Sequence, residues 1–257
     1  LKEKFTKDGV LLNGFHRVRS KKFNGSGTFK NGRLNGRAKG TYKYDKGKMW
    51  NCNGMWRNNK LEGRGKCTFS KKHKTSAIRD GIWKNDELVK GKVIFPYYSK
   101  ATKKMQKQIH IGSFKNSKLN GKGLKKWRNS LHEGVWKNDK LVKGKMVLPY
   151  YSKTTKKMQK QIDIGSFKNG KLNGKCVKKW RNAIYKGSCK NGKLNGKCVK
   201  KWRNGILYKG SCKNDNFHGK GTYNYKGTIY KGNWSGSNDN QKLNGTRDWV
   251  SVRMSKK

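Results

Sequence analysis

The chain is built from copies of itself. Residues 165–182 read GSFKNGKLNGKCVKKWRN, and residues 187–204 read GSCKNGKLNGKCVKKWRN. The same phrase, with drift, starts at Gly27, Gly54, Gly81, Gly112, Gly134, Gly165, Gly187, Gly210 and Gly232. The steps are 27, 27, 31, 22, 31, 22, 23 and 22 residues, a base period of 22 or 23 with insertions. A larger duplication overlies it: residues 81–133 align with 134–186 without a gap, and 39 of 53 positions are identical. A unit this short buries too little to fold alone, so neighbouring units must share a continuous core.

Each unit reads as a β-hairpin. Two residues after the leading Gly stands an apolar residue: Phe29, Trp56, Trp83, Phe114, Trp136, Phe167, Cys189, Cys212 or Trp234. Then comes a turn pair. It is Asn-Gly at 31–32, 169–170 and 191–192, and Asn-Asp at 85–86, 138–139 and 214–215. Such pairs tolerate the positive φ of tight hairpins. A Leu follows (Leu34, Leu61, Leu88, Leu119, Leu141, Leu172, Leu194), with Phe217 in the eighth unit. The return strand opens on another Gly and often ends on an aromatic residue such as Trp127, Trp180 or Trp202. The leading Gly either lets the backbone bend or lets a neighbouring ring lie across it. Gly, Asn and β-branched residues break any 3.6-residue period, which disfavours helix.

The pattern Gly-x-aromatic, turn, Leu-x-Gly-x-Gly resembles the MORN repeat. Tyr185-Lys186-Gly187, Tyr208-Lys209-Gly210 with Gly219-Lys220-Gly221, and Tyr230-Lys231-Gly232-Asn233-Trp234 carry the resemblance best. It implies an all-β fold, an elongated twisted antiparallel sheet of tandem hairpins. The expected organisation is an N-terminal segment at 1–22, read as an atypical capping hairpin, then a repeat array at 23–246. Residues 247–257 are a basic tail or last strand. Earlier units depart from the family: Gly25, Cys52, Arg79, His110, His132 and Asp163 replace its leading Tyr. Lys90 and Lys143 stand where Gly is expected, and a polar insert, Ser235 to Lys242, interrupts the last unit.

Composition bears on partners. Sixty-six Lys and Arg stand against 13 Asp and Glu, a formal net charge of +53. Low hydrophobicity with such charge ordinarily signals disorder; nine Trp placed on a regular ruler argue the opposite. A body this basic is expected against something anionic. No stretch approaches the ~20 apolar residues of a membrane-spanning helix. The six Cys form no Cys-x-x-Cys pair, which weakens a zinc reading. Cys189 and Cys212 occupy the core aromatic position, so buried free thiols and a reducing intracellular compartment are expected. Cys176 is expected near Cys189, and Cys198 near Cys212. The five His do not recur at equivalent places, so no catalytic base is marked. No catalytic residue, metal or cofactor is assigned, and no small-molecule substrate.

Two insertions stand out, PYYSKATKKMQKQI at 96–109 and PYYSKTTKKMQKQI at 149–162. They supply the candidate partner-binding residues Tyr97, Tyr98, Lys100, Lys103, Lys104 and Lys107, then Tyr150, Tyr151, Lys153, Lys156, Lys157 and Lys160. The alternative is two longer hairpins whose Tyr pack on the sheet. The expected function is a non-enzymatic structural scaffold that holds acidic protein surfaces in a large assembly. MORN-rich proteins are abundant in giant DNA viruses, which points to a virion or capsid component. A peripheral tether on anionic phospholipid and a sequence-nonspecific nucleic-acid binder are the alternatives.

Overall fold

The computed structural model describes residues 4–7, 9–19, 23–44, 48–71, 74–100, 102–235 and 250–252. Alternation of apolar and polar residues makes strands, and the turn pairs fold them back. Residues Leu1–Arg128 with Trp136–Asp139 form one compact unit, and Asn129–Val135 with Lys140–Lys257 form another. In the first unit, β1 (Gly14–Arg19) precedes the hairpin β2 (Phe23–Lys30) and β3 (Arg33–Tyr44). The hairpins β4 (Lys48–Arg57) with β5 (Lys60–Lys71), β6 (Lys74–Lys84) with β7 (Glu87–Ser99), and β8 (Lys104–Lys115) with β9 (Lys118–Trp127) follow. Then come β10 (Ser130–Lys137), β11 (Lys140–Ser152), β12 (Lys157–Lys168) and β13 (Lys171–Lys179). The chain continues through β14 (Ala183–Lys190), β15 (Lys193–Trp202), β16 (Leu207–Lys213), β17 (Asn216–Tyr225), β18 (Thr228–Trp234) and β19 (Val250–Val252).

The fold is all-β and open, with no helix among the described residues. Each strand from β1 to β9 pairs antiparallel with the next, and so does each strand from β11 to β19. In the N-terminal segment, the Lys4 N–H donates to the Gly32 carbonyl, the Gly32 N–H to the Leu12 carbonyl and the Leu12 N–H to the Lys4 carbonyl, and Phe5 bridges Leu11. Of the polar insert at 235–242 only Ser235 is described. Leu243, Gly245 and residues 247–249 and 253–257 lie outside the described residues.

The Leu ladder forms the core. Leu34, Leu61, Leu119, Leu172 and Leu194 are at most 1% exposed, and the aromatic positions from Phe29 to Phe167 are buried beside them. Both readings of the leading glycine hold at particular places: the ladder is irregular just after Gly27, Gly54 and Gly112, and a Cβ on Gly210 would stand 2.8 Å from the Tyr208 ring. The Trp83 indole N–H donates to the Gly65 carbonyl at 2.7 Å, and a Cβ on Gly65 would stand 3.3 Å from the Trp83 ring. Trp136 and Trp234 repeat that bond onto Gly123 and Gly221 at 2.8 and 3.1 Å.

The turn residues do more than turn. Asn59, Asp86, Asp139 and Asp215 have φ of 65–70°. Each donates its N–H to the Leu carbonyl of an earlier hairpin, and its side-chain oxygen accepts that Leu's N–H at 2.7–3.1 Å. This reciprocal clasp joins Leu34 to Asn59, Leu61 to Asp86, Leu119 to Asp139, and Leu194 to Asp215. It satisfies backbone groups that burial would otherwise strand.

The thiol expectation is corrected. All six cysteines are paired, Cys52–Cys67, Cys176–Cys189 and Cys198–Cys212. The register explains why. Cys52 lies directly opposite Cys67 with 4.1 Å between Cα atoms. Cys176 faces Gly187 while Cys189 faces Gly174, a diagonal neighbour on the same buried side with Cα atoms 5.9 Å apart. Cys198 and Cys212 repeat the diagonal. The proximity expected of these last two pairs is present, but as cystine, so a reducing compartment no longer follows from the cysteines.

Candidate interaction surfaces

The two insertions are hairpin arms. Ile94 is the last β7 residue paired to β6, so residues 95–99 extend beyond that ladder and pair only with β8. Pro96 therefore costs no hydrogen bond to β6. Residues 149–152 and 157–160 pair in the same register in the second copy. Inside the first arm, the Tyr97 hydroxyl donates to Gln106 Oε1 at 2.5 Å, the Gln106 amide donates to Thr102 Oγ1 at 2.9 Å, and Thr102 N–H donates to Ser99 Oγ at 3.4 Å. The second arm repeats the chain through Tyr150, Gln159, Thr155 and Ser152 at 2.6, 2.8 and 3.3 Å.

These bonds divide the candidate residues. Tyr97 and Tyr150 turn inward, half-buried, and hold the arm's shape. Tyr98 and Tyr151 turn outward, each 59% exposed. Their cross-strand partners Met105 and Met158 are 65% and 60% exposed, and the sequence reading had passed over both. Lys100, Lys103, Lys104 and Lys107 are all exposed, as are Lys153, Lys156, Lys157 and Lys160. Lys103 and Lys156 occupy the left-handed turn position at φ 50° and 49°. Each arm thus presents a Tyr–Met pair among four cations and no acid.

A second set of charged residues is buried. Family-Tyr positions point inward, opposite inward residues of the return strand: His110 faces Lys125, Asp163 faces Lys178, and Tyr185 faces Lys200. Lys125 pairs with the Asp139 carboxylate at 2.9 Å and donates to its carbonyl at 3.2 Å. Lys178 reaches Asp215 at 3.5 Å and the Gly192 carbonyl at 2.9 Å. Lys200, only 1% exposed, donates to the Asp215 carbonyl and lies 4.6 Å over the Tyr185 ring. A buried ammonium needs such compensation, and carbonyl, carboxylate and ring supply it. The visible signal was the period of two from buried Cys176 to Lys178 in the CVKKW phrase. Without register it could not be assigned a side.

Burial sets the protonation of this row. Desolvation, aided by Lys125 and opposed by Asp139, pushes His110 down to about 4. Desolvation raises Asp163, against the Gln161 hydrogen bond and Lys178, while Asp215 adds to the rise. Burial lowers Arg79, whose guanidinium lies 4.6 Å over Phe69, and pushes Tyr208 up to about 12. These cations are committed to the interior, so the charge available to a partner is the exposed charge. No helix among the described residues is long and apolar enough to cross a membrane.

The family model of the MORN repeat matches residues 26–49, 52–74, 110–131, 164–182, 185–206 and 208–227, together just over half of the chain. The matched segments leave out 75–109 and 132–163, which contain both arms and the positions where Lys90 and Lys143 displace Gly. Those stretches nevertheless form the same hairpins. No curated protein matches the chain.

Proposed function

The chain belongs to the MORN-repeat family, and from that membership we propose that it is a non-catalytic scaffold that binds acidic protein surfaces within a large assembly through its two hairpin arms. The observation that supports this is the repetition of one exposed surface 53 residues apart, down to side-chain hydrogen bonds within about 0.1 Å. An exposed Tyr beside a flexible Met offers contact area at low entropic cost, and the surrounding Lys steer an acidic partner. Two equal surfaces suit an ordered lattice of equivalent partner sites. The assembly we favour is a virion or capsid, a reading that rests on the net charge of +53 and the Lys-rich composition.

The test replaces the eight arm lysines by Gln and, separately, by Glu, and measures binding to the native assembly. The Gln protein should bind at least about tenfold more weakly and the Glu protein not detectably. Parent-like binding by both would reduce the arms to hairpin extensions. A second reading, a peripheral tether on anionic phospholipid, is favoured by the outward Tyr98–Met105 and Tyr151–Met158 pairs, since aromatic and apolar side chains flanked by Lys suit a membrane interface. Binding that follows the anionic fraction of protein-free vesicles would select it.

A further inference from the structure

The buried side of β13–β16 is settled by Cys176, Lys178, Tyr185, Cys198, Lys200 and Tyr208, all under 9% exposed, and the register carries it to Tyr223 on β17 and Tyr230 on β18. Alternation puts the residues between them on the opposite face. Antiparallel register arranges that face in rows. One row runs Val177, Lys186, Val199, Lys209, Thr222, Lys231 across six strands. A flanking row alternates Lys179, Ile184, Lys201 and Leu207. On the other flank Lys175, Lys197 and Lys220 stand opposite Ser188, Ser211 and Asn233.

The eight lysines form a staggered lattice. Those in one row are two strands apart, about 10 Å, and the outer rows, four residues apart along β13 and β15, are about 13 Å apart. All are exposed except Lys179, which is half-buried. None makes an ion pair with a described carboxylate, and β13–β18 contain no Asp or Glu. The corresponding row of the first unit is different, because Asp80 sits between Lys66 and Lys92.

We propose that this face of β13–β18 binds the sugar–phosphate backbone of a nucleic-acid duplex without regard to sequence. The outer rows match the roughly 12 Å between phosphate strands across a major groove. The face holds no Trp, Tyr, Phe or Met. It therefore lacks the stacking platforms by which single strands are held and the aromatic hot spots of a protein interface. Val177, Val199, Thr222, Ser188 and Ser211 between the lysines are short, and the longer Ile184 and Leu207 are confined to one flank, so the lysines are the groups that reach a partner's backbone. The surface is separate from the arms and does not depend on their reading.

The experiment measures binding of the full chain to a random-sequence 20-base-pair duplex, and to one of its single strands, over a range of salt. Eight contacts give a log–log slope of about −7. Replacing Lys186, Lys197, Lys201 and Lys209 by Gln should bring the slope to about −3.5. The same four replaced by Arg should keep the parent slope, which guards against misfolding of the Gln protein. A control of equal net charge, with Lys103, Lys104, Lys156 and Lys157 replaced by Gln, should also keep it. Equal losses in the two Gln proteins would mean that net charge alone binds, and the proposal would be wrong. Tighter binding of the single strand, or no salt-dependent duplex binding by the parent, would overturn it as well.

Discussion

His110 and Asp163 are the same position in the two copies of the 53-residue block, and they shift in opposite directions for one reason. His110 is buried and Asp163 half-buried, each opposite a lysine, and burial disfavours whichever form carries charge. The imidazole is held neutral by a lowered pKa, and the carboxyl is pushed towards neutrality by a raised one. The consequence for stability has a definite sign. Between about 4 and the ordinary 6.5, unfolded His110 binds a proton that the folded form refuses. Its contribution is therefore present above pH 6.5 and lost as pH falls through about 4. Asp163 acts oppositely, losing stability as pH rises through its raised value. Comparison with a His110→Gln protein isolates the first effect. The parent should lose more thermal stability than the variant between pH 7 and pH 4.5, and equal losses would remove His110 from the pH response.

At the scale of the hairpin, two of the three disulfides stand where other units use an indole. Trp83 bonds Gly65 and Trp136 bonds Gly123; at the equivalent places Cys189 joins Cys176 and Cys212 joins Cys198. Glycine and aromatic are replaced together, so neither cysteine is left without its partner. The bridges span 13, 14 and 15 residues, and loops of that size are worth about 3 kcal/mol each. Freshly purified protein, denatured without reductant, should show no titratable thiol, and reductant should lower its unfolding temperature by well over ten degrees. Six reactive thiols and an unchanged transition would contradict the pairing. The hairpins themselves were legible because turn pairs, Leu and aromatic residues recur on a fixed ruler. The cystines and the inward lysines were not, because a period of two says which residues share a face of one strand but leaves open which residues of the next strand lie opposite. Register across strands decides that Cys189 meets Cys176 and that Lys178 points inward. The arms were legible as insertions, yet Tyr97 and Tyr98 could not be told apart until Gln106 fixed one of them inside.

For the whole molecule, the few acids matter as much as the many bases. Of 13 Asp and Glu, Asp86, Asp139 and Asp215 are spent as turn clasps, and the last two also hold interior lysines. The exposed arms and the outer face of β13–β18 are left without local counter-charge. The charges that serve folding are thus distinct from those left exposed, and an anionic partner would relieve the self-repulsion of a +53 body. The direct measurement is carbodiimide cross-linking, which joins touching Lys and Asp or Glu without a spacer, applied to the protein in its native assembly and read by mass spectrometry. If the arms dock acidic protein surfaces, links from Lys100, Lys103, Lys104 and Lys107, and equally from Lys153, Lys156, Lys157 and Lys160, should dominate and should end on acidic residues of one partner protein. Links spread evenly over the chain's exposed lysines, with none concentrated in the two arms, would contradict it.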